Sequence, residues 1–248
     1  MLGALGAMAS AACGADVPLI ALPAGDATTG RVTYPTRDRV QIVAEFTPPP
    51  GPALPYPVVI LAHQFGGTRA QWAGLAPALH KAGFGTLIPD LRAHGESVRR
   101  LGAGASEELY TDARGALPDL HLDIEAALRW LTAQRNVDPA RLGIGGASVG
   151  ANLAFVAAGA FAAIGRAVAV GPAFSTSGVL VGANIPDFRP RGIRFLTDRR
   201  EEPEVRALYG KTEEPRDLKV YDMPGHGLAL LAHEQPQRDF VEWFVGGL

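Results

Sequence analysis

Short runs of apolar residues recur along the chain, each about the length of a β-strand. Residues 58–62 (Val-Val-Ile-Leu-Ala) lie between prolines and a histidine, and similar runs occupy residues 85–89, 142–146, 167–170, 192–197 and 218–223. Continuous apolar runs of this length are typical of strands that are buried on both faces of a parallel sheet. Residues 31–35 and 40–47 also have strand character, with a turn between them.

Helical patterns separate these runs. In residues 120–133 the apolar side chains Ile124, Ala127, Leu128 and Leu131 recur at helical spacing, with charged residues between them. Residues 75–82, 152–163 and 235–244 also have helical patterns. The alternation of strand and helix predicts an α/β fold with a mostly parallel sheet.

The chain has 248 residues, enough for one large domain or two small ones. We find no internal repeat and no second domain, and therefore predict one domain over residues 31–248, preceded by a signal-like segment and linker over residues 1–30. The irregular inserts at residues 99–117 and 175–191 are short. They favour an open cleft over a large helical cap.

Composition excludes several classes of function. The formal net charge is -2 and the arginines are spread along the chain, which argues against a nucleic-acid partner. A single cysteine, Cys13, cannot form an internal disulfide or a thiolate zinc site. The sequence also lacks an H-E-x-x-H motif and carboxylates at ligand spacing, so we expect neither a metal nor a cofactor.

The first 15 residues are small and apolar, with no charge before Asp16. An apolar run that ends in small residues is typical of an export signal. Ser10 to Cys13 is similar to a bacterial lipobox, in which the cysteine would be lipidated after cleavage. These features predict an exported protein, either periplasmic or attached to a membrane through Cys13. The alternative is a cytoplasmic protein whose Ala/Gly-rich tail carries an incidental cysteine.

Gly146, Ser148 and Gly150 form a G-x-S-x-G motif between a strand pattern and a helix pattern. In this setting the motif presents a nucleophilic serine at the carboxyl end of a strand, and the glycines permit the sharp turn. The backbone N–H of Val149, at the helix N-terminus, would point at a developing oxyanion. The alternative is that Ser148 only caps the helix.

Three further segments follow predicted strands: His63-Gln64-Phe65-Gly66-Gly67, Asp90-Leu91-Arg92-Ala93-His94-Gly95-Glu96-Ser97 and Pro224-Gly225-His226-Gly227. Together with the serine motif they resemble the α/β-hydrolase superfamily, most closely its dienelactone-hydrolase-like bacterial esterases. They are similar to the family's H-G-x-x-G oxyanion loop, its D-x-R-G-H-G-x-S loop and its catalytic-histidine loop. The resemblance extends from residue 31 to the C-terminus. It implies an α/β-hydrolase fold of about eight strands, with helices on both faces and little or no cap.

A serine hydroxyl needs an adjacent base before it can act as a nucleophile. His226 lies downstream of Ser148 on a glycine-flanked loop after the last strand pattern, which matches the chain order serine, acid, histidine. We therefore predict His226 as the base, with His233 as the alternative. For His63 and His94 the resemblance implies structural hydrogen bonding around the loops.

The third member of a catalytic triad orients the imidazole and stabilises its charged form. The candidates lie in the run Asp-Arg-Arg-Glu-Glu that follows the strand pattern at residues 192–197. The resemblance aligns Glu201 with the usual aspartate and places Asp198 where a small residue usually stands. Asp198 and Glu202 remain alternatives, and the whole run is also compatible with a solvated loop.

By resemblance, the second oxyanion donor is the backbone N–H of Phe65, acting together with that of Val149. Gln64 replaces the commoner glycine, and its side chain would bond within the loop or face the acyl pocket. We predict Gln64 and Trp72 as substrate-binding residues, with ordinary core packing as the alternative for Trp72.

These features predict a serine hydrolase of the carboxylesterase type (EC 3.1.1), which cleaves small to medium esters through an acyl-enzyme on Ser148. A peptidase, a thioesterase or an acyltransferase would use the same triad. A non-catalytic binding module anchored at the cell envelope is the alternative from another class. The sequence does not specify the oligomeric state.

Overall fold

The computed structural model describes residues 24–51, 53–102, 106–173 and 188–248. The strands are β1 (Gly30–Pro35), β2 (Val40–Thr47), β3 (Tyr56–Ala62), β4 (Gly85–Pro89), β5 (Arg99–Leu101), β6 (Glu107–Leu109), β7 (Val137–Ala147), β8 (Ile164–Val170), β9 (Ile193–Asp198) and β10 (Arg216–Tyr221). The α-helices are α1 (Ala76–Lys81), α2 (His121–Thr132), α3 (Val149–Ala160), α4 (Glu202–Tyr209) and α5 (Glu234–Val245). Helix α3 begins three residues earlier than the sequence pattern predicted.

The strands form one sheet in the order β10-β9-β8-β7-β3-β4-β2-β5-β6, and β1 pairs with β2. From β10 to β4 every neighbouring pair is parallel, and the pairs made by β2 and β5 are antiparallel. The sheet is therefore mostly parallel, as predicted. In a parallel sheet the carboxyl ends of the strands meet at one edge, where ligands bind in α/β folds.

Two apolar layers cover the sheet, because successive side chains of a strand point to opposite faces. In β3, Val58, Ile60 and Ala62 pack in one cluster with α2, α3 and α4, whereas Val59 and Leu61 pack in the other with α1 and α5. Every residue of β3 and β4 is buried. The continuous apolar runs thus result from burial on both faces, as expected for the centre of a parallel sheet.

Helix α5 lies directly against β7, and glycines make this close packing feasible. A Cβ atom on Gly145 would stand 2.2 Å from the Phe240 ring, and one on Gly143 would stand 2.8 Å from the Phe244 ring. Both phenylalanines are fully buried. Larger side chains in this part of β7 would displace α5 from the sheet.

The four apolar residues predicted for the inner face of α2 are all buried, but Asp123 is buried with them. The pattern had placed Asp123 among the charged residues between the apolar positions, and this placement is corrected. Its carboxylate accepts hydrogen bonds from the backbone N–H of Arg92 at 2.8 Å and from the Arg92 Nε at 2.6 Å. Arg92 is itself fully buried and also bonds Asp38. A paired carboxylate can occupy the core where an unpaired one would not.

The insert at residues 99–117 contributes two short strands, β5 and β6, which form an antiparallel hairpin. The described residues therefore form a sheet of ten strands, where the resemblance implied about eight. A 3₁₀ helix, Leu117–Asp119, ends this insert before α2. Most of the other insert, residues 174–187, lies outside the described residues, so the absence of a large cap remains a prediction there.

Residues that the sequence analysis assigned to the linker already contact the domain. Gly25 forms a β-bridge with Gln134, and the backbone N–H of Ala27 donates to Asn136 Oδ1 at 2.9 Å. The domain boundary at residue 31 remains a prediction, since residues 1–23 lie outside the described part of the chain. No helix within the described ranges is long and apolar enough to cross a bilayer.

Candidate active site

Ser148 occupies a strained turn between β7 and α3. Its φ of 54° and ψ of -115° lie outside the regions that L-residues ordinarily adopt. Neighbouring glycines permit the turn: a Cβ on Gly146 would stand 1.9 Å from the Gly150 carbonyl oxygen, and one on Gly150 would stand 2.1 Å from the Ala62 carbonyl oxygen. The turn holds the serine at the carboxyl edge of the sheet, half-buried and open to a cleft.

The Ser148 hydroxyl is directed at an imidazole. Ser148 stands at the N-cap position of α3 but makes no side-chain capping bond. Its Oγ lies 2.8 Å from His226 Nε2, a hydrogen bond in which the hydroxyl donates. The side chain thus makes the contact expected of a nucleophile and its base, rather than the contact of a helix cap.

His226 is placed between this hydroxyl and a carboxylate. It lies on the loop after β10, and its Nδ1–H donates to Glu201 Oε1 at 2.7 Å. Gly227 beside it has a φ of +55°, and a Cβ there would stand 3.4 Å from the Ser148 nitrogen. Glycine therefore permits the loop to approach the serine. The geometry brings Ser148, His226 and Glu201 into one chain of hydrogen bonds.

The other acidic candidates have different partners. Asp198, the last residue of β9, has a buried carboxylate that accepts from the backbone N–H groups of Arg200 at 2.9 Å, Glu201 at 3.0 Å and Gly225 at 3.3 Å. Burial alone would raise the pKa of Asp198, but the hydrogen bond from the Arg200 side chain and the backbone hydrogen bonds from Gly225 and Glu201 outweigh it and leave that pKa below its usual range. Glu202 bonds Arg199 and Arg206. Among the described residues, neither of these acids hydrogen-bonds the His226 side chain. The sequence analysis had kept both as alternative partners of the imidazole, and the structure places Glu201 there instead.

Asp198 therefore links the two loops that meet in the site. One oxygen accepts from the turn that carries Glu201, and the other accepts from the loop that carries His226. The sequence analysis offered Asp198 only as an alternative acid and missed this linking role. An aspartate at the end of a strand pattern, three residues before a second acid, is the signal that could have indicated it.

The loop after β3 is fixed by two histidines. The ring of His63 accepts from the Leu91 N–H at 2.9 Å through Nε2, so its Nδ1–H donates to the Gln64 carbonyl at 2.8 Å. Burial lowers the pKa of His63 to about 4. His94 accepts from the Gly66 N–H at 3.1 Å, and its ring lies 5.1 Å from that of His63.

A second anchor holds the far end of the same loop. The buried Asp90 accepts from the backbone N–H of Arg69 at 2.7 Å and from that of Glu96 at 2.9 Å, and it pairs with the Arg69 guanidinium. A Cβ on Gly95 would stand 2.2 Å from the Asp90 carboxylate, so a larger residue would disrupt this contact.

Two backbone N–H groups remain available beside Ser148. Within the described parts of the chain, neither Phe65 nor Val149 donates its backbone N–H to a protein acceptor. Both residues line the same cleft as Ser148 and His226. Val149 is the first residue of α3, where the helix leaves its N–H groups unpaired and the helix dipole favours negative charge.

The cleft has a volume of about 280 Å³. Its described lining residues are Phe65, Arg114, Leu117, Ser148, Val149, Asn152, Ala173 and His226. Four of them were missed by the sequence analysis: Arg114, Leu117, Asn152 and Ala173. Asn152 had a local signal, because it follows Ser148 by one helical turn and therefore lies on the same helix face. It bonds both the N–H and the carbonyl of Ala173, at 2.9 and 2.6 Å.

Two predicted substrate-binding residues do not line this cleft. Trp72 is fully buried, and its ring packs 5.9 Å from that of Phe240 in the layer beneath α5. This corrects its assignment as a substrate-binding residue in favour of the core alternative. Gln64 is half-buried, and its Oε1 lies 3.0 Å from the position that a Cβ on Gly227 would occupy. Its side chain therefore packs against the histidine loop.

The remaining predicted sites are placed as follows. Cys13, the predicted lipidation site, lies outside the described residues. His233 precedes α5 and bonds neighbouring backbone groups, whereas the imidazole that Ser148 contacts is that of His226. Within the described ranges, His, Cys, Asp and Glu side chains form no group of three or more that could hold a metal ion.

Comparison with known proteins identifies the family. Residues 57–219, well over half of the chain, match the family described as alpha/beta hydrolase fold. The chain belongs to that family. Two uncharacterised proteins of Mycobacterium tuberculosis are 36% identical over 98 residues, which is 40% of this chain and 30% of theirs. The aligned segment thus spans less than a third of the length of these relatives.

Solved structures share the fold. An esterase of Pyrococcus furiosus has a TM-score of 0.68 at 20% identity, with 89% of this chain and 93% of the esterase covered. A dienelactone hydrolase of Anabaena variabilis has a TM-score of 0.63 at 20% identity, with 89% and 98% covered. At such low identity these likenesses show the fold alone.

Proposed function

We propose that this chain is a serine hydrolase that cleaves carboxylic esters of small to medium size through an acyl-enzyme on Ser148. The observation that carries the proposal is the continuous chain of hydrogen bonds from Ser148 Oγ through His226 to Glu201, at 2.8 and 2.7 Å. Membership of the α/β hydrolase fold family supports a hydrolytic function in general.

In the first half of the reaction His226 Nε2 takes the proton of the Ser148 hydroxyl while Oγ attacks the ester carbonyl. Glu201 holds the imidazole in the tautomer whose Nε2 is free to accept that proton, and it stabilises the imidazolium that forms. The tetrahedral intermediate then collapses. The bond to the alcohol oxygen breaks, and His226 returns the proton to the leaving alcohol.

In the second half a water molecule attacks the acyl-enzyme. His226 accepts a proton from the water, and the second tetrahedral intermediate releases the acid and restores the Ser148 hydroxyl. In both halves the negative charge on the carbonyl oxygen would be held by the backbone N–H groups of Phe65 and Val149. Loss of one such donor typically costs about 3 kcal/mol of transition-state stabilisation.

The size of the cleft supports small to medium esters as substrates. Its volume of about 280 Å³ lies just below the usual range for ligand pockets. Phe65 is 40% exposed, and with Leu117 it offers an apolar wall for an acyl or alcohol group.

The proposal is tested with a series of 4-nitrophenyl esters from acetate to decanoate. We expect hydrolysis that favours the shorter chains and that falls to the background rate in Ser148→Ala. Full activity of that variant would contradict the acyl-enzyme. A wild-type protein that folds but hydrolyses no ester, thioester or amide would favour the non-catalytic binding module instead.

We also propose attachment at the cell envelope through a lipidated Cys13, on the sequence pattern alone. We expect Cys13→Ser to release the protein from the membrane fraction of the expressing cells with ester hydrolysis unchanged. Identical partitioning of the two proteins would contradict the attachment.

A further inference from the structure

An apolar surface lies at the edge of the sheet opposite the proposed active site. Ser148 stands at the carboxyl ends of the parallel strands, whereas this surface lies at their amino ends, where residues 48–55 lead into β3 and α5 ends. A groove of about 260 Å³ runs between these two segments. Most of its described lining is apolar, including Pro49, Ala53, Pro55, Phe84 and Val245.

Two large apolar side chains are exposed beside this groove. Leu54 is 67% exposed and Val245 is 59% exposed. The other exposed large apolar side chains of the described residues are Phe65, in the proposed active-site cleft, and Leu109, on β6. Single exposed leucines are common on protein surfaces, but two such side chains beside an apolar groove are typical of a surface that binds something.

Basic side chains flank the groove on both sides. The exposed Lys81 directly precedes Ala82 and Gly83, which line it. On the other side Arg166 packs against Gly247, just after α5. The exposed Arg189 and Arg191 come next, because they precede β9, the neighbour of the strand that carries Arg166. In the described part of the chain, none of these four cations has a carboxylate within salt-bridge distance.

The acids at this edge leave an excess of positive charge. Asp26, Asp138 and Glu214 each pair with an arginine of their own, so these pairs are neutral. Glu213 and Glu242 are the further acids near the amino ends of the strands and the end of α5. The four cations therefore outnumber the acids that could balance them, and the edge is complementary to a negatively charged partner.

The N-terminal part of the chain joins the domain at the same edge. Gly25 forms a β-bridge with Gln134, and the Ala27 N–H donates to Asn136 Oδ1 at 2.9 Å. The Asn136 carbonyl in turn accepts from the N–H of Tyr56, the first residue of β3, at 3.1 Å. The chain before Gly25, including Cys13, therefore reaches the domain beside the groove rather than beside the active site.

We propose that this edge lies against a bilayer with anionic headgroups. Leu54 and Val245 enter the boundary of the acyl region, while Lys81 and the three arginines meet the headgroup phosphates. The Ser148 cleft, at the opposite edge of the sheet, then opens toward the surrounding solution. The inference goes beyond the proposed ester hydrolysis. It does not require lipidation of Cys13, although a lipid there would hold the same edge near the membrane.

The test uses full-length Cys13→Ser as the parent protein, so that lipidation at Cys13 plays no part. Co-sedimentation measures its binding to vesicles of phosphatidylglycerol and phosphatidylcholine in equal parts, and to vesicles of phosphatidylcholine alone. One variant adds Leu54→Asp with Val245→Asp, and a second adds Lys81→Gln with Arg191→Gln. The matched control adds Leu109→Asp, because Leu109 is 77% exposed but lies on β6, at the far end of the strand order.

We expect the parent to bind the anionic vesicles and to bind phosphatidylcholine alone much more weakly. The double aspartate variant should bind at least tenfold more weakly, because its charges oppose entry into the acyl boundary. The double glutamine variant should lose about fivefold for each cation removed. High salt should weaken binding of the parent more than binding of this variant. Leu109→Asp should bind as the parent does.

A fluorescent label identifies the surface that touches the lipid. Cys13 is the only cysteine of the chain, so the parent accepts a single thiol-reactive label at Leu54→Cys or at Leu109→Cys. With a label whose emission shifts to the blue in an apolar environment, we expect anionic vesicles to shift the emission at position 54 and to leave that at position 109 unchanged.

Absence of binding by the parent, or equal binding by the parent and the double aspartate variant, would overturn the inference, as would equal emission shifts at the two labelled positions. A parent that is dimeric by light scattering, becomes monomeric in the double aspartate variant and binds no vesicles would assign the surface to a second copy of the chain instead. Thermal unfolding identifies misfolded variants. Hydrolysis of soluble esters is measured without vesicles, so failure here leaves the proposed function intact.

Discussion

The carboxylate of Asp198 accepts a hydrogen bond from the backbone N–H of Glu201 at 3.0 Å. The two acids therefore belong to one turn, but their carboxylates have different partners. Glu201 extends from this turn to the imidazole of His226, at 2.7 Å. Asp198 lies beneath it, buried, and holds the turn and the histidine loop together. The structure thus assigns separate contacts to two residues that the sequence left as alternatives.

The role of Glu201 is tested by the near-isosteric change Glu201→Gln. The amide would no longer stabilise the imidazolium and would weaken control of the imidazole tautomer. We expect kcat for 4-nitrophenyl butyrate to fall by about 100-fold or more, with little change in thermal stability. Glu202→Gln is the matched control, because the side-chain partners of Glu202 in the described part of the chain are both arginines, and it should retain nearly full kcat. Equal losses in the two variants would contradict the assignment.

Asp198→Asn tests whether the Asp198 carboxylate stabilises the fold by linking the turn that carries Glu201 to the loop that carries His226. The amide keeps one acceptor oxygen but places a donor toward other donors, so about 1–3 kcal/mol of stability should be lost. We expect a lower midpoint of urea unfolding and a kcat reduced roughly tenfold, less than in Glu201→Gln. Arg200→Gln is the comparison, because it removes only the solvent-exposed partner of the same carboxylate; the Arg200 side chain is 72% exposed, so its loss should cost much less stability. A fully stable Asp198→Asn variant would show that the link is dispensable.

Gly150→Ala tests the packing of the serine turn. Its Cβ would stand 2.1 Å from the Ala62 carbonyl oxygen, a backbone atom that cannot move without shifting β3. We expect destabilisation of about 3 kcal/mol or more, seen in thermal unfolding. Gly246→Ala, at the end of α5, is the comparison, because the nearest atom lies 3.5 Å from the added Cβ. Similar unfolding temperatures for the two variants would contradict the close approach of α3 to β3.

His63 makes the stability of the fold depend on pH. Its folded-state pKa of about 4 lies below the ordinary value of about 6.5, because burial disfavours the charged ring. The contribution of the neutral His63 ring to the free energy of unfolding is therefore complete above pH 6.5 and is lost progressively as the pH falls toward 4. The expected loss is about 3 kcal/mol.

The measurement is urea unfolding between pH 4 and 7.5 in the wild type, His63→Asn and His121→Asn. In His63→Asn the free energy of unfolding should change less with pH than in the wild type. His121 is the half-buried first residue of α2, and its replacement should preserve the wild-type profile. Parallel profiles for all three proteins would show that His63 does not contribute.

Local patterns were sufficient for much of the fold and for the serine turn. Apolar runs of strand length gave the central strands, since burial on both faces leaves no polar positions in them. The glycines around Ser148 pointed to the turn because a Cβ at either position would clash with the backbone. The helix pattern of α2 correctly identified its apolar face, but the burial of Asp123 depends on Arg92, a residue 31 positions away that no local pattern connects to it.

The residues that shape the cleft were beyond local analysis for a similar reason. Arg114 and Leu117 come from an insert without periodic pattern, and only the folded chain brings them beside Ser148. Trp72 was ambiguous because a large aromatic residue after a strand suits a pocket wall and a core equally well. The choice between Asp198 and Glu201 required the path of the turn after β9, which places one carboxylate inward and the other at the imidazole.

The central claim is that Ser148 is a nucleophile activated by His226, and covalent labelling tests it most directly. The folded protein is treated with a fluorophosphonate, and the modified peptide is identified by mass spectrometry. We predict one phosphonyl group per chain on Ser148, and a rate of labelling that falls strongly in His226→Ala. Failure of the reagent to label Ser148 stoichiometrically, or equal labelling rates in the wild type and His226→Ala, would contradict the account.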